Sequence, residues 1–309
     1  MVQPDYFKPI SQHLVTGLKV AGLNLFFEQN CACYQDLDLS PSHQPFILNS
    51  LAEVDKTPAF SDTLILQIHQ DDLDRKSAWE KSICVTKIWE LWKDVEDHFV
   101  FFNPLQPLLR QVIVDPDFNH GLLIGDFELG AKLAKPLSQD LEIVLFSNWL
   151  AKFGDLLLHA SGFTYEGKGY VFTGDSGVGK STLAAHFKND PAFTILGEDQ
   201  VIVRLKDDRF WVYGTPWHIN PQMCSPSGAP LESLFFLEKN GNNRITPITS
   251  IEGVKRLLQT AFIPYYRVDA LPAILDRIVL LSESIQFMSL SYTLGTDVWS
   301  LIKPNSTRL

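Results

Sequence analysis

Cysteine is scarce in this chain: Cys31, Cys33, Cys84 and Cys224 are the only four among 309 residues. Cys31 and Cys33 form a Cys-x-Cys pair, a spacing that could supply half of a metal site. No second Cys/His pair follows at zinc spacing, so reduced thiols are expected rather than a metal centre. Positive charge is also short. The 26 Lys and Arg residues face 36 Asp and Glu, a formal net charge of −10. That excludes broad nucleic-acid binding, which needs cations to neutralise phosphates, and adsorption on an anionic membrane. A small local basic site stays open. No apolar run reaches the roughly 18 residues of a membrane-spanning helix. Met1–Pro9 has no basic stretch leading into an apolar one, so no signal peptide is expected and the expected compartment is the cytoplasm. Internal repeats and low-complexity tracts are absent.

What is present is a folded composition, 45% hydrophobic and 12% aromatic, on a chain long enough for two domains and a large core. Residues 1–138 are mixed and strand-rich, an α+β pattern. Candidate strands are Thr63–His69, Ile88–Lys93, His98–Phe102, Arg110–Val114 and Gly121–Gly125, separated by turn-rich pieces. No constellation of catalytic residue types occurs there. A helix is expected over residues 139–153, with Leu141, Val144, Leu145, Leu150 and Phe153 on one broad apolar face and Gly154 at its C-terminal cap. The domain boundary is placed just before it, near Pro136, which leaves residues 139–309 as the second domain.

The second domain is more regular. Leu156–Thr164 is an expected strand, Glu166–Gly169 a turn and Tyr170–Thr173 a strand. Thr182–Phe187 is a short helix. Phe193–Leu196, Gln200–Leu205 and Phe210–Tyr213 are strands, the last two joined by a turn at Lys206–Arg209. Residues 214–230 form a loop rich in Pro and Ser. Leu234–Leu237 is a strand followed by a turn at Asn240-Gly241. Helices are expected at 250–261 and 268–276, then a strand at Ile285–Ser291.

Between two of these elements, Gly174-Asp175-Ser176-Gly177-Val178-Gly179-Lys180-Ser181 fits G-x-x-x-x-G-K-[ST]. A hydrophobic strand precedes it and a helix beginning near Thr182 follows. Glycines permit unusual backbone angles and close approach to phosphates. Backbone N–H groups then converge on the anion, and the helix adds the positive end of its dipole. Lys180 supplies a full charge to the outer phosphates and Ser181 a hydroxyl to Mg²⁺. The plain alternative is a glycine-rich turn with a chance Lys-Ser.

Phosphoryl transfer also needs a metal held by oxygen and a group that positions the nucleophile. Glu198 and Asp199 follow the apolar run Phe193–Leu196 and Gly197, so they sit at a strand end that can lie beside the loop. One acid can face the metal and the other the acceptor hydroxyl; the alternative is an exposed acidic turn. His159 lies in an otherwise apolar strand that hairpins into the loop. It is either a satisfied core histidine or a neutral imidazole that holds a carboxylate or metal. Trp217, His218 and Asn220 are candidates for an acceptor pocket, the alternative being a packed loop anchored by Trp217.

Taken together, Leu158–Ser161, Gly174–Thr182 and Leu196–Val201 resemble the catalytic core of HPr kinase/phosphorylase. There, too, a histidine strand, a Gly-x-x-Gly-x-Gly-Lys-Ser loop and an acidic pair follow one another. The core of ATP-dependent phosphoenolpyruvate carboxykinase is similar. Val212–Trp217, Pro230–Glu238 and Asn243–Pro247 resemble stretches of HPr-kinase-related proteins, including lasso-peptide kinases. The resemblance covers roughly residues 139–260, and Arg110–Gly125 matches the family's N-terminal part only loosely. It implies an α/β fold: a kinase core on a mixed sheet carrying the phosphate loop, beside the strand-rich N-terminal domain. It implies ATP and Mg²⁺ as ligands. Gly174 to Thr182 and Lys180 would hold the phosphates, and Ser181 and Asp199 the metal, with His159 beside Asp199. Glu198 would be the base for the acceptor hydroxyl.

Two departures qualify what the resemblance implies. Glu198 stands where HPr kinase has Asp, one methylene shorter, a difference that shifts base geometry by about 1 Å. Gly214–Trp217 occupies the place of the HPr-contacting stretch, so the expected acceptor is a hydroxyl on a peptide, a protein other than HPr or a small molecule, a serine being the natural candidate. No cluster suits phosphoenolpyruvate and carbon dioxide. A catalytically silent nucleotide sensor is the second reading. A parallel-sheet P-loop ATPase or GTPase is third, since no Asn-Lys-x-Asp occurs and the acids follow the loop too closely. A homo-oligomer is compatible with all three.

Overall fold

Three tight turns with two consecutive positive-φ residues organise much of the sheet structure: Ala21-Gly22, Glu166-Gly167 and Asp207-Asp208. This backbone matches the right-handed twist of the strands it joins. The computed structural model describes residues 14–29, 37–38, 40–48, 63–70, 79–87, 89–104, 109–125, 133–134, 137–218, 220–239, 242–293 and 296–303. Cys31, Cys33, Met1–Pro9, Ile88 and the Asn240-Gly241 turn lie outside them; Cys84 and Cys224 are thiols outside any disulfide. The chain is a mixed α/β protein that divides into two compact units, Met1–Trp149 and Leu150–Leu309. Among the described residues no helix is long and apolar enough to cross a membrane.

The first unit holds β1 (Leu14–Val20), β2 (Leu23–Gln29), β3 (Leu37–Asp38), β4 (Ile47–Leu48), β5 (Thr63–Gln70) and β6 (Trp79–Val85). It continues with β7 (Glu90–Asp94), β8 (Phe99–Phe102), β9 (Leu109–Val114), β10 (His120–Gly125) and β11 (Leu133–Ala134). Nine of these strands form one sheet in the order β4-β1-β2-β5-β10-β9-β8-β7-β6, while β3 and β11 pair separately. The pairs β2–β5 and β5–β10 are parallel and the others in the sheet antiparallel. All five expected strands are present, with ends shifted by up to two residues. The β1–β2 hairpin was not expected: it turns on Ala21 at φ 54, a conformation that Ala seldom adopts. At the β6 edge the ladder carries two register shifts and exposed polar side chains, which blunt further pairing.

Helix α1 (Gln139–Ala151) ends two residues earlier than expected, with Gly154 at φ 69 beyond it. It is buried nearly all round rather than on one face: Phe146, Asn148 and Trp149 are as enclosed as Leu141 and Leu145. Its buried Glu142 is paired, with Oε2 2.9 Å from Nε2 of His43, whose Nδ1 lies 2.6 Å from Oγ of Ser40.

The second unit contains β12 (Leu156–Tyr165), β13 (Lys168–Thr173), α2 (Lys180–Phe187), β14 (Phe193–Gly197), β15 (Gln200–Lys206), β16 (Arg209–Tyr213) and β17 (Gly228–Glu238). After these come β18 (Arg244–Pro247), α3 (Ser250–Thr260), α4 (Leu271–Ser284), β19 (Phe287–Ser291) and α5 (Val298–Ile302). The ladder β13-β12-β15-β16-β17 closes on itself, because β17 pairs in parallel with β13. Close packing at small residues permits the closure. A Cβ on Gly169 would lie 2.3 Å from Cγ1 of Val212, and one on Gly162 3.1 Å from Cγ1 of Val201.

Three expectations need correction here. β17 has eleven residues and begins at Gly228, not Leu234. Its first residues pair with β16, and from Leu231 onward it pairs with β13, so Pro230 sits where the strand changes partner. Helix α4 begins at Leu271 instead of 268, since Arg267 and Asp269 form a salt-bridged turn ahead of it. It then runs on to Ser284, because Ile274, Ile278 and Leu281 continue its buried stripe. β18 and α5 carry too few residues to show a period.

Candidate functional site

Hairpin β12–β13 delivers the chain into the glycine loop. The ladder pairs Ala160 with Thr173, and Oγ1 of Thr173 donates to the carbonyl of His159 at 3.0 Å. The loop then turns through Gly174 (φ 145), Gly177 (φ 73) and Gly179 (φ 117), values that other residues rarely adopt. A Cβ on Gly177 would meet nothing within 4 Å, so the space beside it is open. Gly179 caps the N-terminus of α2, and its carbonyl accepts from the N–H of Leu183 at 2.9 Å. Tyr292 donates its hydroxyl to that same carbonyl at 3.2 Å.

Lys180 opens α2 and is buried, yet its ammonium has partners: Nζ donates to the carbonyls of Gly174 at 2.8 Å and Asp175 at 3.1 Å. Burial pulls its pKa down, and the charges of Asp199 and Asp175 oppose that. Ser181 and Thr182 are exposed on the first turn of α2.

The acid pair is brought to this hairpin by an unusual pairing. β14 and β15 are successive segments of chain, and both run antiparallel to β12, with Gly162 opposite Gly197 and His159 opposite Gln200. Glu198 and Asp199 fall between them, and the N–H of Ala160 donates to the carbonyl of Asp199 at 2.9 Å. They therefore stand at a break within a ladder, not at a free strand end. Asp199 has a neighbour at each oxygen: Oδ1 lies 3.2 Å from Nδ1 of His159, and Oδ2 accepts from Nε2 of Gln200 at 2.9 Å. His159 is a site-facing residue, its side chain 31% exposed and edge-on to Phe262. Burial lowers its pKa and the charge of Lys180 adds to this, while Asp199 works against both. At neutral pH the ring is therefore neutral. The charges of Lys180 and Asp199 thus both act on the His159 ring, and that of Asp199 also on Lys180.

Glu198 points into different surroundings. Burial raises its pKa, the charge of Asp199 raises it further, and Lys188 at the end of α2 lowers it. Its charge is also felt by Cys224, whose thiol burial pushes up to about 11.

Trp217 and His218 are both buried, so they present no open face to an acceptor, and the packed-loop alternative describes them. Nε2 of His218 is 3.1 Å from Oγ1 of Thr215, which donates to the carbonyl of Gln200 at 2.9 Å. Asn220 caps a short 3-10 turn by accepting from the N–H of Gln222. This loop braces Gln200, which in turn holds Asp199. Gln200 and Thr215 went unnoticed in the sequence, although Gln200 directly follows the acids and is buried despite its polarity.

A cavity of about 500 Å³ adjoins the other flank of the loop, lined by Gly174–Ser176, the end of β17 and one face of α3. No group of three or more His, Cys, Asp or Glu side chains that could hold a metal occurs among the described residues. A Mg²⁺ ion that keeps its waters and binds phosphate needs only one or two carboxylates. Asp199 is the carboxylate whose charge acts on Lys180 together with that of Asp175.

No family model matches the chain, and no curated protein matches it by sequence. Among solved structures it is similar to the Hpr(Ser) kinase/phosphatase from Coxiella burnetii, with 11% identity, a TM-score of 0.28, and coverage of 47% of this chain and 85% of that one.

Proposed function

We propose that residues 150–309 form an ATP-dependent kinase that transfers a phosphoryl group to a hydroxyl, with a serine of a peptide or of a protein other than HPr as the acceptor. The observation that carries this reading is the pairing of His159 with Asp199 at 3.2 Å on the strand that leads into the glycine loop. A phosphate cradle alone serves binding. A neutral imidazole that orients a carboxylate beside the cradle serves chemistry on the outer phosphate.

The residues fit Mg-ATP. Gly177 faces open space, and the helix α2 dipole points its positive end at the loop. Lys180 would exchange its two loop carbonyls for phosphate oxygens, and Ser181 and Asp199 would hold the metal. When bound, Mg-ATP supplies the phosphoryl group and Mg²⁺ offsets the charge on it. Asp199 is pre-set for its task by His159 and Gln200, which leaves little reorganisation for the moment of reaction. Glu198, its pKa raised by burial, has the direction of shift that suits a general base.

The surroundings of Glu198, Lys188 and Cys224, favour the second reading, a nucleotide-binding sensor without transfer. Incubation with Mg-ATP labelled at the γ position and a serine-containing peptide pool separates the two. A kinase labels hydroxyls, and Asp199→Asn abolishes the label. Tight ATP binding with no label on any Ser, Thr or Tyr peptide makes the protein a sensor.

A further inference from the structure

We infer that the cavity between the glycine loop, β17 and α3 receives the nucleoside of the bound triphosphate, an inference that rests on Gly174–Ser181 being the phosphate cradle. Strand β13 has two neighbours, and they give the loop two different flanks. On the β12 side stand His159 and Asp199. On the β17 side the ladder pairs Thr173 with Phe236, which brings Leu237 and Glu238 alongside the loop's first residue. A Cβ on Gly174 would lie only 3.1 Å from the carbonyl oxygen of Leu237. A phosphate chain lying over the loop has two ends. The groups that suit a metal and a reacting phosphate are at one of them, and the cavity is at the other.

The lining decides what chemistry that second end has. Arg256 is already committed: Nη1 is 2.7 Å from Oε1 of Glu238, and Nε is 2.8 Å from Oε1 of Glu252. Its guanidinium lies 5.6 Å from the centre of the Phe236 ring. Three carboxylates, Asp175, Glu238 and Glu252, thus line the cavity against two cations, Arg256 and Lys239. That excess of acceptors repels a phosphoryl group. It suits a neutral group rich in donors, such as ribose hydroxyls and the amino groups of a base. Val178, only partly buried, adds apolar surface against which a flat ring can lie, and buried Phe236 and Leu237 back the cavity wall. At about 500 Å³ the space is in the range of ligand clefts. Gln259, an exposed residue of α3, also lines it.

The test compares Mg-ATP with Mg-tripolyphosphate, which keeps the phosphate chain and lacks the nucleoside, on the full chain and its Gln259→Trp, Glu238→Gln and Lys180→Ala variants. Wild type is expected to bind ATP about tenfold more tightly or better, as one or two hydrogen bonds to carboxylates would give. Gln259→Trp, which fills the cavity, should erase that advantage and leave tripolyphosphate binding unchanged. Glu238→Gln should weaken ATP alone. Lys180→Ala should weaken both ligands. Equal affinity of wild type for the two ligands overturns the inference while leaving the cradle intact. So does ATP binding of wild-type strength in both Gln259→Trp and Glu238→Gln. Tripolyphosphate binding that Lys180→Ala does not touch removes the cradle itself, and the inference with it.

Discussion

Nδ1 of His159 stands 3.2 Å from Oδ1 of Asp199, while Gln200 occupies the other oxygen of the same carboxylate. Two of the interactions on the ring oppose each other, since Lys180 lowers its pKa and Asp199 raises it, on top of the burial that lowers it most. NMR titration should place the His159 midpoint below the ordinary 6.5. Asp199→Asn should move it further down and Lys180→Met back up. A midpoint above 6.5, or one that neither variant moves, contradicts the arrangement. The sign for stability follows from the same shift. The native state resists protonation, so the contribution of His159 is fully present above about 6.5 and is lost as pH falls through the lower native value. In a transfer assay, His159→Gln should cost about 10²-fold or more in rate, the range expected for a group that directs acid–base chemistry.

Gly197 is a test of how the acids are held. A Cβ there would lie 2.4 Å from the carbonyl oxygen of Gln200 and 2.8 Å from Nε2 of His218. Gly197→Ala should destabilise the chain by about 1–3 kcal/mol through overpacking. It should also displace Asp199, so that activity falls more than the melting midpoint alone would explain. An unchanged urea midpoint counts against this.

Asp94 and His98 pin the β7–β8 turn, with Nδ1 of His98 2.9 Å from Oδ2 of Asp94, whose Oδ1 accepts from the N–H groups of Glu96 and His98. Burial alone pushes Asp94 up, but hydrogen bonds from the His98 side chain and backbone bring it below its ordinary 3.8. The hydrogen bond to Asp94 raises His98 above 6.5, against the opposing effect of burial. The Asp94 contribution is present above about 3.8 and lost as pH falls below it. The His98 contribution is complete below about 6.5 and lost as pH rises through the raised value. Thermal melts should show the pair most stabilising between these limits. Asp94→Ala should cost about 1–3 kcal/mol, since it leaves the buried N–H of His98 without its acceptor. A loss that does not vary with pH contradicts the pairing.

The glycine loop was legible in the sequence because its conformation is set locally: three glycines at positive φ, then Lys180, between a strand and a helix. His159 and Asp199 were legible as residues, but their contact depends on register across β12 and β15, which no local pattern encodes. The acceptor reading of Trp217 and His218 failed for a related reason. A tryptophan that stacks on a ligand and one that anchors a loop look alike until burial is known. The cavity beside the loop lies where β17 runs in parallel with β13, a pairing between segments some sixty residues apart. The hairpin at Ala21-Gly22 and the end of α4 show the limits of local rules in another way. Neighbouring strands and packing set both against the preferences of the residues involved.

Calorimetric titration of Mg-ATP into the full chain, with Lys180→Ala beside wild type, is the most direct measurement. Wild type should bind, and the variant should bind about 10- to 100-fold more weakly, the loss expected when a charged hydrogen bond to phosphate is removed. A wild type that does not bind Mg-ATP, or a variant that binds it equally well, would contradict the assignment of Gly174–Ser181 as the phosphate cradle.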